Sequence, residues 1–314
     1  MTAGAQRFYK LGIIGWPLGY SLSPGMHRAA LEAAGLKGEY REYPVPPDKL
    51  EGWLRSDGAR LDGFNVTMPH KSAVWSWLKS RGEAARLDPF LLETGLDAVN
   101  TVAMQEGVPV GTSTDGEGFL RPLTEPPRQL TLSGWRAILL GSGGSAKAIA
   151  TALALKSKVH ALTVWNRPAG AGRAEELARR LNRLRGSETF ASASSDSDRL
   201  PMEESHLLVN ATPMGMKEEG GVPEGILRRL HHGMLVYDIV YDPRETQLIR
   251  AARAAGCAVV TGEEMLAGQG AAAFEIWAGV PAAKVLPVMK QALEANLNRY
   301  DVPRGPSVRR TGRG

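Results

Sequence analysis

The stretch Ala137-Ile138-Leu139-Leu140-Gly141-Ser142-Gly143-Gly144-Ser145 decides the fold. Its four apolar residues read as a buried strand, its glycines as a tight turn, and the alanine-rich run 146–155 as a helix. Strand, glycine turn and helix in this order set backbone N–H groups and a helix N-terminus where they can face a pyrophosphate. The spacing is not the common G-x-G-x-x-G, so the turn alone marks only a tight connection, and its surroundings supply the meaning. Outward from it, strand 161–165 and helix 172–184 complete a βαβα unit. The runs 207–210, 234–240 and 258–261 read as three more buried parallel strands. Helical stretches 246–255, 263–277 and 282–297 finish the ordered chain. The expected architecture is α/β, with a doubly wound, Rossmann-like sheet in this half.

Upstream of Glu125-Pro126-Pro127-Arg128, which reads as a linker, the pattern changes. Residues 10–15 read as a short buried strand. Ser23-Pro24 then opens a helix, the serine as cap and the proline in the first turn, and Gly35 closes it. Strand 40–45, helix 48–55 and strand 63–67 follow. A helix over 71–79 carries Val74, Trp75 and Leu78 at helical spacing. Segments 98–104 and 108–113 flank Glu106-Gly107 as a hairpin, which gives this half antiparallel character.

Composition excludes several classes. The chain has 314 residues, 43% hydrophobic and 23% charged, as in ordinary soluble proteins with room for two cores. No run approaches the ~18 apolar residues of a membrane span, and the first ten residues lack the apolar stretch of a signal peptide. A single cysteine, Cys257, permits no internal disulfide, which suits a reducing cytoplasm, and it reads as a small buried hydrophobe. The net charge is +5, of which Arg304, Arg309, Arg310 and Arg313 against Asp301 supply +3, leaving +2 for the rest. No aromatic residues interleave with those arginines, so they read as a solvated, disordered tail over 301–314 and not as a nucleic-acid arm. No metal site is expected.

Two polar segments carry the chemistry: Asn65-Val66-Thr67-Met68-Pro69-His70-Lys71, and Asn100-Thr101 with Ser113-Thr114-Asp115-Gly116. They bring one lysine, one aspartate and several amides and hydroxyls to strand ends. A lysine in the first turn of a helix opposes the helix dipole, so Lys71 calls for a functional reason. A proton-transfer pair upstream of a nucleotide turn points to an oxidoreductase acting on a small hydroxylated substrate. An NAD site would place Asp or Glu at the end of the strand following the turn. Here that strand ends Trp165-Asn166-Arg167, with Arg173 a turn further on, and guanidinium groups there can pair with a 2′-phosphate. NADP is the expected cofactor.

The chain resembles the shikimate dehydrogenase family from about residue 10 to 279. The resemblance rests on Ser21-Leu22-Ser23-Pro24, the 65–71 segment, Ala98-Val99-Asn100-Thr101 and Thr114-Asp115-Gly116. Asn210-Ala211-Thr212-Pro213-Met214-Gly215-Met216, Asp238-Ile239-Val240-Tyr241 and Met265-Leu266-Ala267-Gly268-Gln269-Gly270 complete it. It implies NADPH-dependent, reversible reduction of 3-dehydroshikimate to shikimate, with Lys71 and Asp115 as the catalytic pair. Ser21, Ser23, Asn65, Thr67, Asn100, Asp115, Tyr241 and Gln269 would contact the substrate. Gly141, Ser142, Gly143, Gly144, Ser145, Asn166, Arg167, Arg173, Thr212, Met214, Ile239 and Gly262 would contact the cofactor. The implied organisation is a substrate-binding domain over 1–117, an NADP-binding domain over 118–265, and helices over 266–300 that return to the first domain. A homodimer lies within what the resemblance allows. An NAD-preferring quinate/shikimate relative and a non-catalytic shikimate sensor stay as alternatives, although a sensor has no need of both Lys71 and Asp115. The chain departs from the family's pattern at Tyr20 (for His), Asp97 (for Gly), Ser113 (for Asn) and Pro168 (for Thr). It also has two extra residues between Arg167 and Arg173 and a longer stretch from Lys71 to Asn100.

Overall fold

The computed structural model describes residues 7–18, 21–216 and 219–300, with side chains as far as Leu297. Tyr20 and the basic tail 301–314 lie outside the described residues. The first half runs β1 (Phe8–Gly15), α1 (Ser23–Ala33), β2 (Lys37–Pro44), α2 (Leu50–Arg55), β3 (Gly63–Val66), α3 (Lys71–Ser80), β4 (Arg86–Leu87), α4 (Pro89–Thr94), β5 (Thr101–Gln105), β6 (Val108–Thr112) and α5 (Asp115–Thr124). Among the described residues its strands form a six-stranded sheet ordered β2-β1-β3-β5-β6-β4. β1 lies parallel between β2 and β3. β3, β5 and β6 are antiparallel neighbours, and the expected hairpin turns at Glu106-Gly107, both with positive φ.

The second half runs β7 (Arg136–Leu140), α6 (Gly144–Lys156), β8 (Ala161–Trp165), α7 (Ala171–Arg185), β9 (Ala191–Ser194), β10 (Leu207–Asn210), α8 (Glu224–Leu227), β11 (Leu235–Asp238), α9 (Gln247–Ala254), β12 (Ala258–Val260), α10 (Gly262–Ala278) and α11 (Ala282–Tyr300). Its six described strands are all parallel, in the order β12-β11-β10-β7-β8-β9. β10 and β11 are buried throughout and β7 at all but its first residue, as the unbroken apolar runs require of strands covered on both faces. This is the doubly wound sheet, and the direction of winding reverses between β7 and β10, which opens a crevice beyond their C-terminal ends.

The chain then crosses back. Val285, Met289 and Leu293 of α11 share a core with Leu22, Met26 and Ala30 around α1. α10 lies against α5, and glycine makes the approach close: a Cβ on Gly118 would stand 2.5 Å from the backbone nitrogen of Gln269, and one on Gly268 would stand 3.0 Å from Gly118 Cα. Cys257 is buried, its thiol donating to the carbonyl of His231. No described helix is long and apolar enough to cross a membrane.

The short elements β4, α4, α8 and β9 are additions to the sequence reading, since runs of two to six residues show no period. α5 is a further addition. Gly116, Gly118 and Pro122 all sit inside this helix although glycine and proline disfavour helices, and close packing demands Gly118.

Gly118→Ala forces apart the α5–α10 crossing and is expected to destabilise the fold by about 1–3 kcal/mol, the range for overpacking. Urea denaturation measures it, and an unchanged midpoint would mean that the two helices separate freely.

Candidate active site

The end of β3 fixes Lys71 in place. The amide of Thr67 donates to Ile14 O at 2.9 Å, and buried His70 sets its Nε2 2.7 Å from Val45 O. Lys71 therefore opens α3 from an anchored turn. Its alkyl chain lies on the start of α6, where a Cβ on Gly144 would stand 3.0 Å from Lys71 Cδ. The ammonium donates to Asp115 Oδ2 at 2.5 Å and to Ser145 Oγ at 3.0 Å, and Ser145 Oγ donates to the same carboxylate oxygen at 3.1 Å. The Lys71 and Asp115 side chains are only 13% and 6% exposed. Two of the three ammonium protons are thus committed within the protein, which leaves one for a ligand oxygen.

Asn100 ties this triangle to the substrate side. Its Nδ2 donates to Asp115 Oδ1 at 2.7 Å and lies 3.3 Å from Gln269 Oε1, while its Oδ1 accepts from the Thr114 amide at 2.8 Å. Asn65 is as heavily engaged: Tyr40 donates its hydroxyl to Oδ1 at 2.8 Å, and Nδ2 donates to Asn100 O and Thr101 Oγ1, both at 3.2 Å. With both amide protons used, Asn65 has only acceptor capacity to offer a substrate hydroxyl. Tyr40 is itself stacked on His27, ring centroids 4.3 Å apart.

A cavity of about 520 Å³ brings together every residue expected of the catalytic and substrate sites: Ser21, Ser23, Asn65, Thr67, Lys71, Asn100, Asp115, Tyr241 and Gln269. Burial pushes the Tyr241 hydroxyl above tyrosine's ordinary range, which keeps it protonated. The expected capping role of Ser23 is corrected. Leu22 holds the N-cap position with no side-chain cap, and Ser23 is already helical. Ser21 does the capping instead, its Oγ accepting from the Ser23 amide at 3.2 Å. Thr114 occupies the N-cap position of α5, and Asp115 is its first helical residue.

A second cavity, of about 590 Å³, adjoins the first and shares Lys71, Ser145 and Ile239 with it. It is lined by Gly141, Ser142, Gly143, Gly144, Asn166, Arg167, Arg173, Thr212 and Met214. Gly262 lines the first cavity only, and a Cβ there would stand 2.3 Å from Ile239 O, so its requirement is packing at the start of α10. The residues fit a dinucleotide. Gly141 holds φ at +110° where a Cβ would meet Thr212 and Ala211, a Cβ on Gly143 would meet only open space, and the N-terminus of α6 has no side-chain cap. Asn166 binds the turn to the end of β8 by donating to Ser142 Oγ at 2.6 Å. Pro168 opens a 3-10 turn, Pro168–Gly170, that leads into α7, and Arg167 and Arg173 are exposed on either side of it.

Residues 13–102 match the family model described as the shikimate dehydrogenase substrate binding domain, and residues 262–294 match the shikimate 5′-dehydrogenase C-terminal domain. The shikimate dehydrogenase (NADP+) of Methanopyrus kandleri is 38% identical over 295 residues, 91% of this chain and 95% of that protein. The shikimate dehydrogenase (NADP+) of Rubrobacter xylanophilus is 42% identical over 281 residues, 86% and 90% of the two chains. The chain belongs to the shikimate dehydrogenase family. The crystal structure of the Thermus thermophilus shikimate 5-dehydrogenase in complex with NADP(H) and shikimate matches with a TM-score of 0.75 and 33% identity, over 90% of this chain and 99% of that one.

Against the family's pattern, Asp97 turns out to reach across the cleft: both its oxygens pair with Lys147 of α6, at 2.7 and 2.8 Å. Arg180 of α7 makes a parallel contact, donating to Thr94 O at 3.0 Å. Ser113 Oγ is buried without a hydrogen-bond partner among the described residues. Sequence reasoning missed Tyr40 and Lys147, which carried no motif of their own, and it expected Ser145 at the cofactor only, whereas Ser145 lines both cavities.

Behind the site, Asp238 joins β11 to β10. It accepts from Asn210 Nδ2 at 2.9 Å, the Val240 amide at 3.1 Å and Thr246 Oγ1 at 2.6 Å. Burial nevertheless pushes its carboxyl from 3.8 up to about 6. The folded chain holds this proton more tightly than the unfolded one. Asp238 therefore contributes stability below about pH 4 that is lost as pH rises through about 6. Fully buried His27 works oppositely over an overlapping window, since burial lowers it from 6.5 to about 3 and its stabilisation is lost as pH falls. The difference between wild type and Asp238→Asn isolates the aspartate. Between pH 4.5 and 7.5 the variant is expected to gain roughly 2 kcal/mol relative to wild type in urea denaturation; a pH-independent difference would mean that Asp238 titrates alike in both states.

Proposed function

We propose that this chain catalyses the NADPH-dependent, reversible reduction of 3-dehydroshikimate to shikimate. The observation that carries the reading is the buried Lys71–Asp115 pair, at 2.5 Å, in a polar cavity, with Lys71 also lining the adjoining dinucleotide-shaped one. The relatives' names and the Thermus thermophilus complex with NADP(H) and shikimate support the same substrate and cofactor.

When bound, NADPH supplies the hydride for the ketone carbon. The side chains do the rest. Lys71 uses its uncommitted N–H to stabilise and protonate the oxygen as negative charge develops there. Asp115 holds the ammonium and accepts from a neighbouring ring hydroxyl. Ser21, Ser23 and Tyr241 offer hydroxyls to the substrate carboxylate, while Asn65, Thr67, Asn100 and Gln269 surround the ring. In the oxidative direction Lys71 takes the hydroxyl proton. Gly141 to Gly144 and the α6 N-terminus hold the pyrophosphate, Arg167 and Arg173 the 2′-phosphate, and Thr212, Met214 and Ile239 flank the nicotinamide.

In this reading residues 1–117 and 118–265 act as two domains meeting across the cleft, with 266–300 returning to the first. The enzyme works in the cytoplasm, in keeping with its single cysteine. Its assembly is the homodimer that the family allows, which sedimentation measures directly.

Lys71→Ala is expected to fold normally and to lose about 10²–10⁴ in turnover, the range for a positioned acid–base group; near-native turnover of the purified variant would overturn the assignment. A spectrophotometric assay crossing shikimate and quinate with NADP+ and NAD+ is expected to favour shikimate with NADP+. Arg167→Ala should weaken NADP+ by about 1.5–3 kcal/mol, as for a hydrogen bond to a charged group, with little effect on NAD+. Equal losses for the two cofactors would remove the 2′-phosphate argument.

A further inference from the structure

We infer that Ser145 is a positioning residue for the proton-transfer pair, supplied across the cleft by the nucleotide half of the molecule. The inference rests on the reading of Lys71 and Asp115 as that pair. Ser145 is the second residue of α6, on the turn where a serine would ordinarily be credited to phosphate binding. Its hydrogen bonds point elsewhere. The hydroxyl has one proton, which goes to Asp115 Oδ2 at 3.1 Å, and it accepts from Lys71 Nζ at 3.0 Å. In this arrangement nothing is left to donate to a phosphate oxygen.

The geometry explains what the second contact adds. Lys71 has a flexible four-carbon stem, and a single ion pair to Asp115 leaves the ammonium free to turn about one carboxylate oxygen. A second acceptor fixes two of its protons and so sets the direction of the third, the one available to the reacting oxygen. The stem is held as well, since Gly144 packs closely on it: a Cβ there would stand 3.0 Å from Lys71 Cδ and 3.4 Å from its Cβ. Lys71 and Asp115 come from α3 and α5, whereas Gly144 and Ser145 come from α6. The ammonium is therefore aimed only while the start of α6 lies against the start of α3. This ties the acid's orientation to the relative position of the two halves, which closure around ligands would set.

The test is a double-mutant cycle between Ser145→Ala and Lys71→Ala, run on the full chain with shikimate and NADP+. Alanine is favoured in a helix, so Ser145→Ala is expected to fold, with an unchanged or raised melting temperature. Its kcat should fall about tenfold, while the KM for shikimate and the Kd for NADP+ stay within about twofold. In the Lys71→Ala background the same change should cost less than about twofold, because no ammonium remains to be aimed. An unchanged kcat overturns the inference. So does a loss of NADP+ affinity with kcat retained, which would return the hydroxyl to the nucleotide, and so does an undiminished loss in the Lys71→Ala background. Near-native turnover of Lys71→Ala alone is a separate result, and it removes the underlying pair rather than the role of Ser145 toward it.

Discussion

Three helix N-termini converge on one carboxylate, and this arrangement constrains everything around it. Lys71 opens α3, Asp115 opens α5, and Ser145 lies in the first turn of α6. Each of these ends carries partial positive charge, so a carboxylate among them is favoured and an ammonium is not. Lys71 is tolerable there only because Asp115 and Ser145 take two of its protons. Remove the carboxylate, and a largely buried cation faces two positive helix ends with one neutral acceptor.

Holding three helix ends within hydrogen-bond distance needs close backbone approach, and glycine provides it wherever the helices meet. Gly116 on α5 leaves room for Ala148 and Ala152 of α6, Gly118 for Gln269 of α10, and Gly144 for Lys71. A side chain at Gly118, whose Cβ would stand 2.5 Å from the Gln269 backbone nitrogen, would push the helices apart. α5 is thus clamped between α6 on one side and α10 on the other. That is why its N-terminal aspartate is so well determined although the helix contains residues that weaken helices elsewhere.

Much of this was legible beforehand, for identifiable reasons. The doubly wound half announces itself through continuous apolar runs at strand length and a glycine turn, signals that need no tertiary context. The residues expected of the catalytic and substrate sites sit in short polar motifs at strand ends, and one cavity gathers all of them. α5 was not legible, because glycine and proline lower its helix propensity while its glycines serve packing against helices distant in sequence. Nor was the capping by Ser21, since two serines flank the helix start and only the fold decides which is exposed to the amide. Ser145 was placed with the cofactor because proximity in sequence to a glycine turn says nothing about a partner 74 residues upstream.

The departure at Asp97 gains meaning from the same helix. Lys147, its partner, lies two residues after Ser145, so the first turn of α6 holds Asp97 with one side chain and Lys71 with another. Asp97 in turn precedes Asn100, which orients Asp115 through its amide. The segment 97–100 is therefore fastened at one end to α6 and at the other to the Asp115 carboxylate. The Asp97–Lys147 pair is 37% and 26% exposed, and ion pairs so placed contribute little to overall stability. Its consequence is geometric. A shift of α6 relative to the first sheet reaches Lys71 through Ser145 and reaches Asp115 through Asp97 and Asn100, so both members of the pair move with one helix. The two halves of the molecule then share the placement of this pair, and the orientation of the Lys71 ammonium is not set by the first half alone.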